Sequence, residues 1–180
     1  MSTKWQSAGA NHVPSYQMSG IPFVTSSAAS EVFGPDANSV TIPTKVTFPY
    51  VTKFITVRNT GINELRVGFS ANGVIKQGER LSDYDTNKAT GGSNFFLVPT
   101  GSGTHGSVQT FEVRCKAVYF LSDTAAANDP TAAAKCTSFS LIAGLTTIPE
   151  KNFPILTGSI TGSATTQYPG GTIPAFEGIG

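Results

Sequence analysis

Two cysteines, two histidines and one short acidic run are the residues here that could carry chemistry. A cysteine nucleophile needs a base within hydrogen-bond reach and surroundings that lower its pKa. The candidate bases are His12, near the N-terminus, and His105, in the turn-rich stretch GSGTHGS. Cys115 lies in FEVRCKAVYFLSD (111–123), on the same parity as Phe111, Val113, Ala117, Tyr119 and Leu121. That parity predicts a wall strand in which the thiol is a small buried filler. Cys136 opens a later strand and could lie near Cys115, but a disulfide is not the expectation. There is no C-x-x-C and no H-x-x-x-H, so zinc is not expected. Asp83, Asp85 and Asn87 begin like a calcium loop. Lys88 then stands where glycine is required, and Asn94 where glutamate is required. No G-x-S-x-G, Walker A or dinucleotide fingerprint occurs. Tyr50, Tyr84 and Tyr168 could stack on sugar rings, although aromatics that cap a sandwich or fill a subunit contact are the plainer reading. These residues predict a protein that is not an enzyme and that holds no cofactor and no metal.

Composition points the same way. The net charge is +1, which gives no general attraction to nucleic acid. Only 13% of the 180 residues are charged, against about 25% in an average domain. A surface so poor in charge is weakly defended against association, so partners are expected to cover much of it. The 19 glycines and 11 prolines predict frequent turns and few long helices. No apolar run approaches the roughly 20 residues of a membrane span. MSTKWQSAGANHVPSYQ has no apolar h-region, so no secretory signal is expected, and the thiols read as free in a reducing compartment.

The elements that must position these residues read as strands. Residues 1–20 carry scattered Trp5, His12, Val13 and Tyr16 and predict an N-terminal arm. A body over 21–148 follows. Its expected strands are IPFVTSS, SVTIPTKVTF, YVTKFITVRN, ELRVGFS, VIKQGERL, NFFLVP, FEVRCKAVYFLSD and CTSFSLIAGL. In ELRVGFS, Leu65, Val67 and Phe69 point in, while Glu64, Arg66, Gly68 and Ser70 point out. Asn72-Gly73 signals a tight hairpin that would set Arg66 opposite Glu79 on VIKQGERL. TAAANDPTAAAK is the one short helix candidate, with Asp129 as cap and Pro130 at the first position. Residues 149–180 form a Gly/Ser/Thr/Pro-rich tail. Eight strands at this spacing predict an all-β fold, a single eight-stranded antiparallel jelly-roll sandwich with extended N- and C-terminal arms. GPDAN, NTGIN, SDYDTNKATGGSN and SDTAAANDPTAAAK are every second connection and would gather at one end.

Four stretches then carry a resemblance. They are VPSYQMSGIPFVTSS, TFPYVTKFITVRNTG with LRVGFSANGV, NFFLVPTG with FEVRCKAVYFLS, and SFSLIAGLTTIP. Across most of residues 13–150 the chain resembles single jelly-roll penton or minor capsid proteins of large icosahedral double-stranded DNA viruses, of the algal-virus type. The resemblance implies an upright jelly roll, five copies per vertex, with arms reaching neighbouring capsid proteins. It implies a virion protein made in the host cytoplasm, with no catalytic residues to carry over. Candidate interface residues are Trp5 and Tyr16 in the arm, Val118 and Phe120 where both strand parities turn apolar, and Phe153 in the tail. The alternative is a β-sandwich receptor- or glycan-binding module that uses the gathered loops.

Overall fold

The computed structural model describes residues 22–27, 32–33, 43–70, 73–75, 94–100, 106–123 and 136–153. The expected arm (1–20), the helix candidate TAAANDPTAAAK and the last 27 residues of the tail lie outside them. The described residues are all-β, with almost no helix. Ten strands occur: β1 (Pro22–Ser26), β2 (Val32–Phe33), β3 (Thr44–Thr47), β4 (Tyr50–Asn59), β5 (Leu65–Gly68), β6 (Phe95–Val98), β7 (Val108–Phe111), β8 (Ala117–Ser122), β9 (Cys136–Thr137) and β10 (Phe139–Pro149). A 3-10 turn, Glu150–Asn152, follows β10. Two antiparallel sheets have the orders β1-β10-β4-β7 and β3-β8-β5-β6, and β2 pairs with β9 alone.

The pairing is nested once the two-residue strands β2 and β9 are set aside. The first strand pairs with the last, Val24 opposite Ile142. Next inward, β3 pairs with β8, Val46 opposite Val118. Then β4 pairs with β7, and innermost β5 pairs with β6. The β4–β10 and β5–β8 pairs stitch these four ladders into two sheets. Among the described residues each ladder is therefore enclosed by the one before it.

Period-2 alternation builds the core. On β10 the inward positions Phe139, Leu141, Ala143 and Leu145 are all buried, as their parity predicts. They meet Leu65 and Val67 of β5 and Val118 and Phe120 of β8. Phe120 stacks on Phe139 with ring centroids 4.0 Å apart, which joins one sheet to the other.

Three expectations change. FEVRCKAVYFLSD is not one wall strand: Phe111 ends β7 in one sheet and Ala117 begins β8 in the other. Residues 112–116 turn the corner between them, held by Thr52. The Thr52 amide donates to the Cys115 carbonyl, and the Cys115 amide donates to Thr52 Oγ1. The core-facing parity flips at the corner, from Phe111, Val113 and Cys115 to Val118 and Phe120, but Ala117, Tyr119 and Leu121, buried under Val74 and Ile75 on the other face, carry the odd apolar parity onward and hide the break. VIKQGERL is not the partner of β5 either, because β5 already has β6 on one side and β8 on the other. Val74 and Ile75 form a buried turn that lies over the outer face of that sheet. A Cβ on Gly68 would come within 2.5 Å of Val74 Cγ1, so this covering is close. Arg66, expected to point into water, is fully buried beneath it. It pairs with Asp123 rather than Glu79, which lies outside the described residues. Finally, the body runs past 148. Phe153 is buried against Val51 and Ile148, so the start of the expected tail packs as core.

Candidate assembly surface

Of the cysteines and histidines, only Cys115 has its side chain among the described residues. Cys115 is a free thiol, buried in the main core. Desolvation pushes its pKa up from 9.0 to about 11, against the opposing pull of hydrogen bonds from the Thr52 side chain and the Ala117 backbone. A nucleophilic cysteine needs the opposite shift. His12, His105, Cys136's side chain and the Asp83–Asp85–Asn87 run lie outside the described residues. Among the described residues no three His, Cys, Asp or Glu side chains gather as a metal site would need. Of the three tyrosines, Tyr50 is exposed, while Tyr84 and Tyr168 lie outside the described residues.

The candidate interface residues separate by place. Trp5 and Tyr16 lie outside the described residues. Val118 and Phe120 are fully buried in the main core, and Phe153 is buried in its own small cluster. The expectation that the double burial of β8 marks a neighbour's contact is therefore corrected. Its second face, with Ala117, Tyr119 and Leu121, is covered by Val74, Ile75 and Phe95 of the same chain. Local filling left no surface there.

The bare surface is the outer face of the other sheet. Three rows cross it. Pro22, Gly144 and Phe54 form the first, Val24, Ile142, Thr56 and Thr110 the second, and Ser26, Ser140, Arg58 and Val108 the third. Val24 and Ile142 are adjacent in register and remain 69% and 42% exposed. Phe54 lies over Gly144, where a side chain would strike its ring. Thr56 and Thr110 hydrogen-bond to each other at 2.9 Å, which leaves that half of the row weakly polar. Arg58 is the one charged residue in these three rows.

A second feature stands at the end of β4. The loop Thr60–Asn63 carries Ile62, 76% exposed and the barest large hydrophobic among the described residues. This loop is tightly held. Asn59 is fully buried, and its Oδ1 accepts from the Gly61 amide and from Thr137 Oγ1. Its Nδ2 donates to the carbonyls of Asn63 and Val98. Thr137 Oγ1 also reaches the Asn63 carbonyl at 3.0 Å. The Thr60 amide donates to the Ser138 carbonyl, and the two side-chain hydroxyls meet at 2.9 Å. Sequence reasoning classed NTGIN as an ordinary connection. The clue within it was a lone isoleucine in an otherwise polar turn.

No protein-family model, curated protein or solved structure matches the chain.

The described residues set a buried thiol in the core and leave two apolar features exposed. What they offer is apolar contact: a flat sheet face, weakly charged, and a projecting knob on a rigid loop. Exposed apolar side chains such as these are what a contact surface would use.

Proposed function

We propose that this chain is a structural subunit of an icosahedral viral capsid, a single jelly roll that closes a vertex as a homopentamer with neighbouring capsid proteins around it. The nested pairing carries the reading. A jelly roll is an eight-stranded antiparallel ribbon wrapped into two sheets, so its strands pair first with eighth, second with seventh, third with sixth and fourth with fifth. The pairs β1–β10, β3–β8, β4–β7 and β5–β6 follow that rule. Support for assembly comes from the chemistry of the bare sheet face and from the low charge of the whole chain. The resemblance to single jelly-roll capsid proteins supplies the virion setting.

Multi-angle light scattering on the purified full chain tests this. The proposal expects a mass of five copies at micromolar concentration. A single-copy mass up to the highest soluble concentration, together with specific retention on immobilised glycans, would favour a receptor- or glycan-binding sandwich instead.

A further inference from the structure

The molecule has two outer sheet faces, and they are unlike. The β3-β8-β5-β6 face is dressed over β5 and β8 by its own residues 73–75, with Arg66 and Asp123 paired beneath and only Leu97 on the edge strand half open among its described apolar residues. The β1-β10-β4-β7 face keeps Val24 and Ile142 open. Some distance away, Ile62 stands out on a loop braced by Asn59, Thr60, Thr137 and Ser138. A buried asparagine that satisfies both ends of its amide is an expensive way to hold a surface turn. What it secures is the position of one apolar side chain in water. An anchor already held in one conformation loses little entropy on docking, which is how strong contact residues are built.

We infer that Ile62 of one copy seats against Val24 and Ile142 on the outer sheet face of the next copy. This rests on the ring-forming reading above and names the contact that would close the ring. Charge places the occupant. Glu64, exposed, lies two residues beyond Ile62. Arg58, exposed, lies one row from Ile142 on the neighbouring strand. Two residues of chain span at most about 7 Å, less through the bends at 61–63, and the step from Ile142 to Arg58, one strand over and one row along, is about 8 Å. With Ile62 on the patch, the Glu64 side chain is within reach of Arg58 of the receiving copy. The knob and the patch are different surfaces, so the contact is heterologous, and a heterologous contact closes into a ring or runs on as a filament.

The test uses the full chain and two variants, Ile62→Asp and Ile142→Asp. Both positions are solvent-exposed, so each variant should keep the wild-type denaturation midpoint when both are measured at a concentration too low for assembly. Each should raise the concentration needed for assembly by about tenfold or more. An equal mixture of the two should form dimers and stop there, because one intact knob meets one intact patch. Charge reversal gives a second arm: Glu64→Lys should weaken assembly, and adding Arg58→Glu should restore it. If wild type assembles and either aspartate variant assembles equally well, the contact is overturned while the ring reading stands. If wild type itself stays monomeric, both are overturned. Failure of the paired charge reversal to rescue Glu64→Lys would place the knob elsewhere on the neighbour.

Discussion

Arg66 Nε donates to Asp123 Oδ1 across the outer side of the β5–β8 ladder, with the guanidinium fully buried over the ring of Phe95. Arg66 Nη1 also donates to the Val74 carbonyl at 3.1 Å. The arginine thus ties the covering turn to the sheet. Its worth lies in completeness, because a buried charge with its partner removed is costly while an apolar replacement is not. Asp123→Ala should destabilise the fold by about 3 kcal/mol, whereas replacing the pair together, Arg66→Met with Asp123→Ala, should cost less than about 1 kcal/mol. Urea denaturation of both variants checks this. Equal large losses in both would mean that the pair is intrinsically stabilising.

Gly61 is fixed by close approach. A Cβ there would strike Thr137 Oγ1 and come within 2.6 Å of the Ser138 amide nitrogen. Gly61→Ala must push β9 from the loop and should cost about 2 kcal/mol. Asn59→Ala should cost more, about 3 kcal/mol, since it strands the Gly61 amide and removes the side-chain donor to the Val98 carbonyl. Amide exchange across residues 60–63 should accelerate in both. Unchanged exchange would show that the bracing does not hold the loop.

Cys115 gives a pH signature. Its pKa is raised in the folded chain to about 11, so the folded state holds its proton more tightly than the unfolded one. The stabilisation is fully present below about pH 9 and is lost as pH rises toward 11. Other groups titrate in that range, so the useful quantity is the difference between wild type and Cys115→Ala. That difference should shrink by about 2 kcal/mol from pH 8 to pH 11. A difference that stays constant would mean that the thiol is not desolvated.

β8 and the outer sheet face should respond in opposite ways to the same substitution. Val118→Asp puts an unpaired carboxylate in the main core and should prevent folding. Val24→Asp, at an exposed site, should leave thermal stability within about 0.5 kcal/mol of wild type. Circular dichroism melts separate the two. A stable Val118→Asp would contradict the packing described for β8.

Much of the fold was legible because a half-buried strand writes its face into the sequence. β4 was readable to its ends, and the inward face of β10 was readable residue by residue. Two features were not. The corner at 112–116 looks like a straight strand because β8 is apolar on both faces: its core side is Val118 and Phe120, while Ala117, Tyr119 and Leu121 continue the odd parity on the covered outer side. Val74 and Ile75 read as a returning strand because cover over an outer sheet face needs the same apolar residues as a ladder partner. Arg66 shows why charge is a poor guide to exposure: an ion pair and a carbonyl let it be buried where alternation alone points it to water. The candidate contacts divided on the same ground. Val118 and Phe120 were correctly read as buried on both faces, but the cover was local. Ile62 drew no attention because a single apolar residue in a turn carries no period.

The central claim is that this chain closes a shell at its vertices. Electron cryomicroscopy of intact particles, with density assigned by fitting the two-sheet body, tests it most directly. The account expects five copies around each five-fold axis, with the β1-β10-β4-β7 face of one subunit turned toward the next. Particles whose vertices are built from another protein, with this chain absent from the shell, would contradict it.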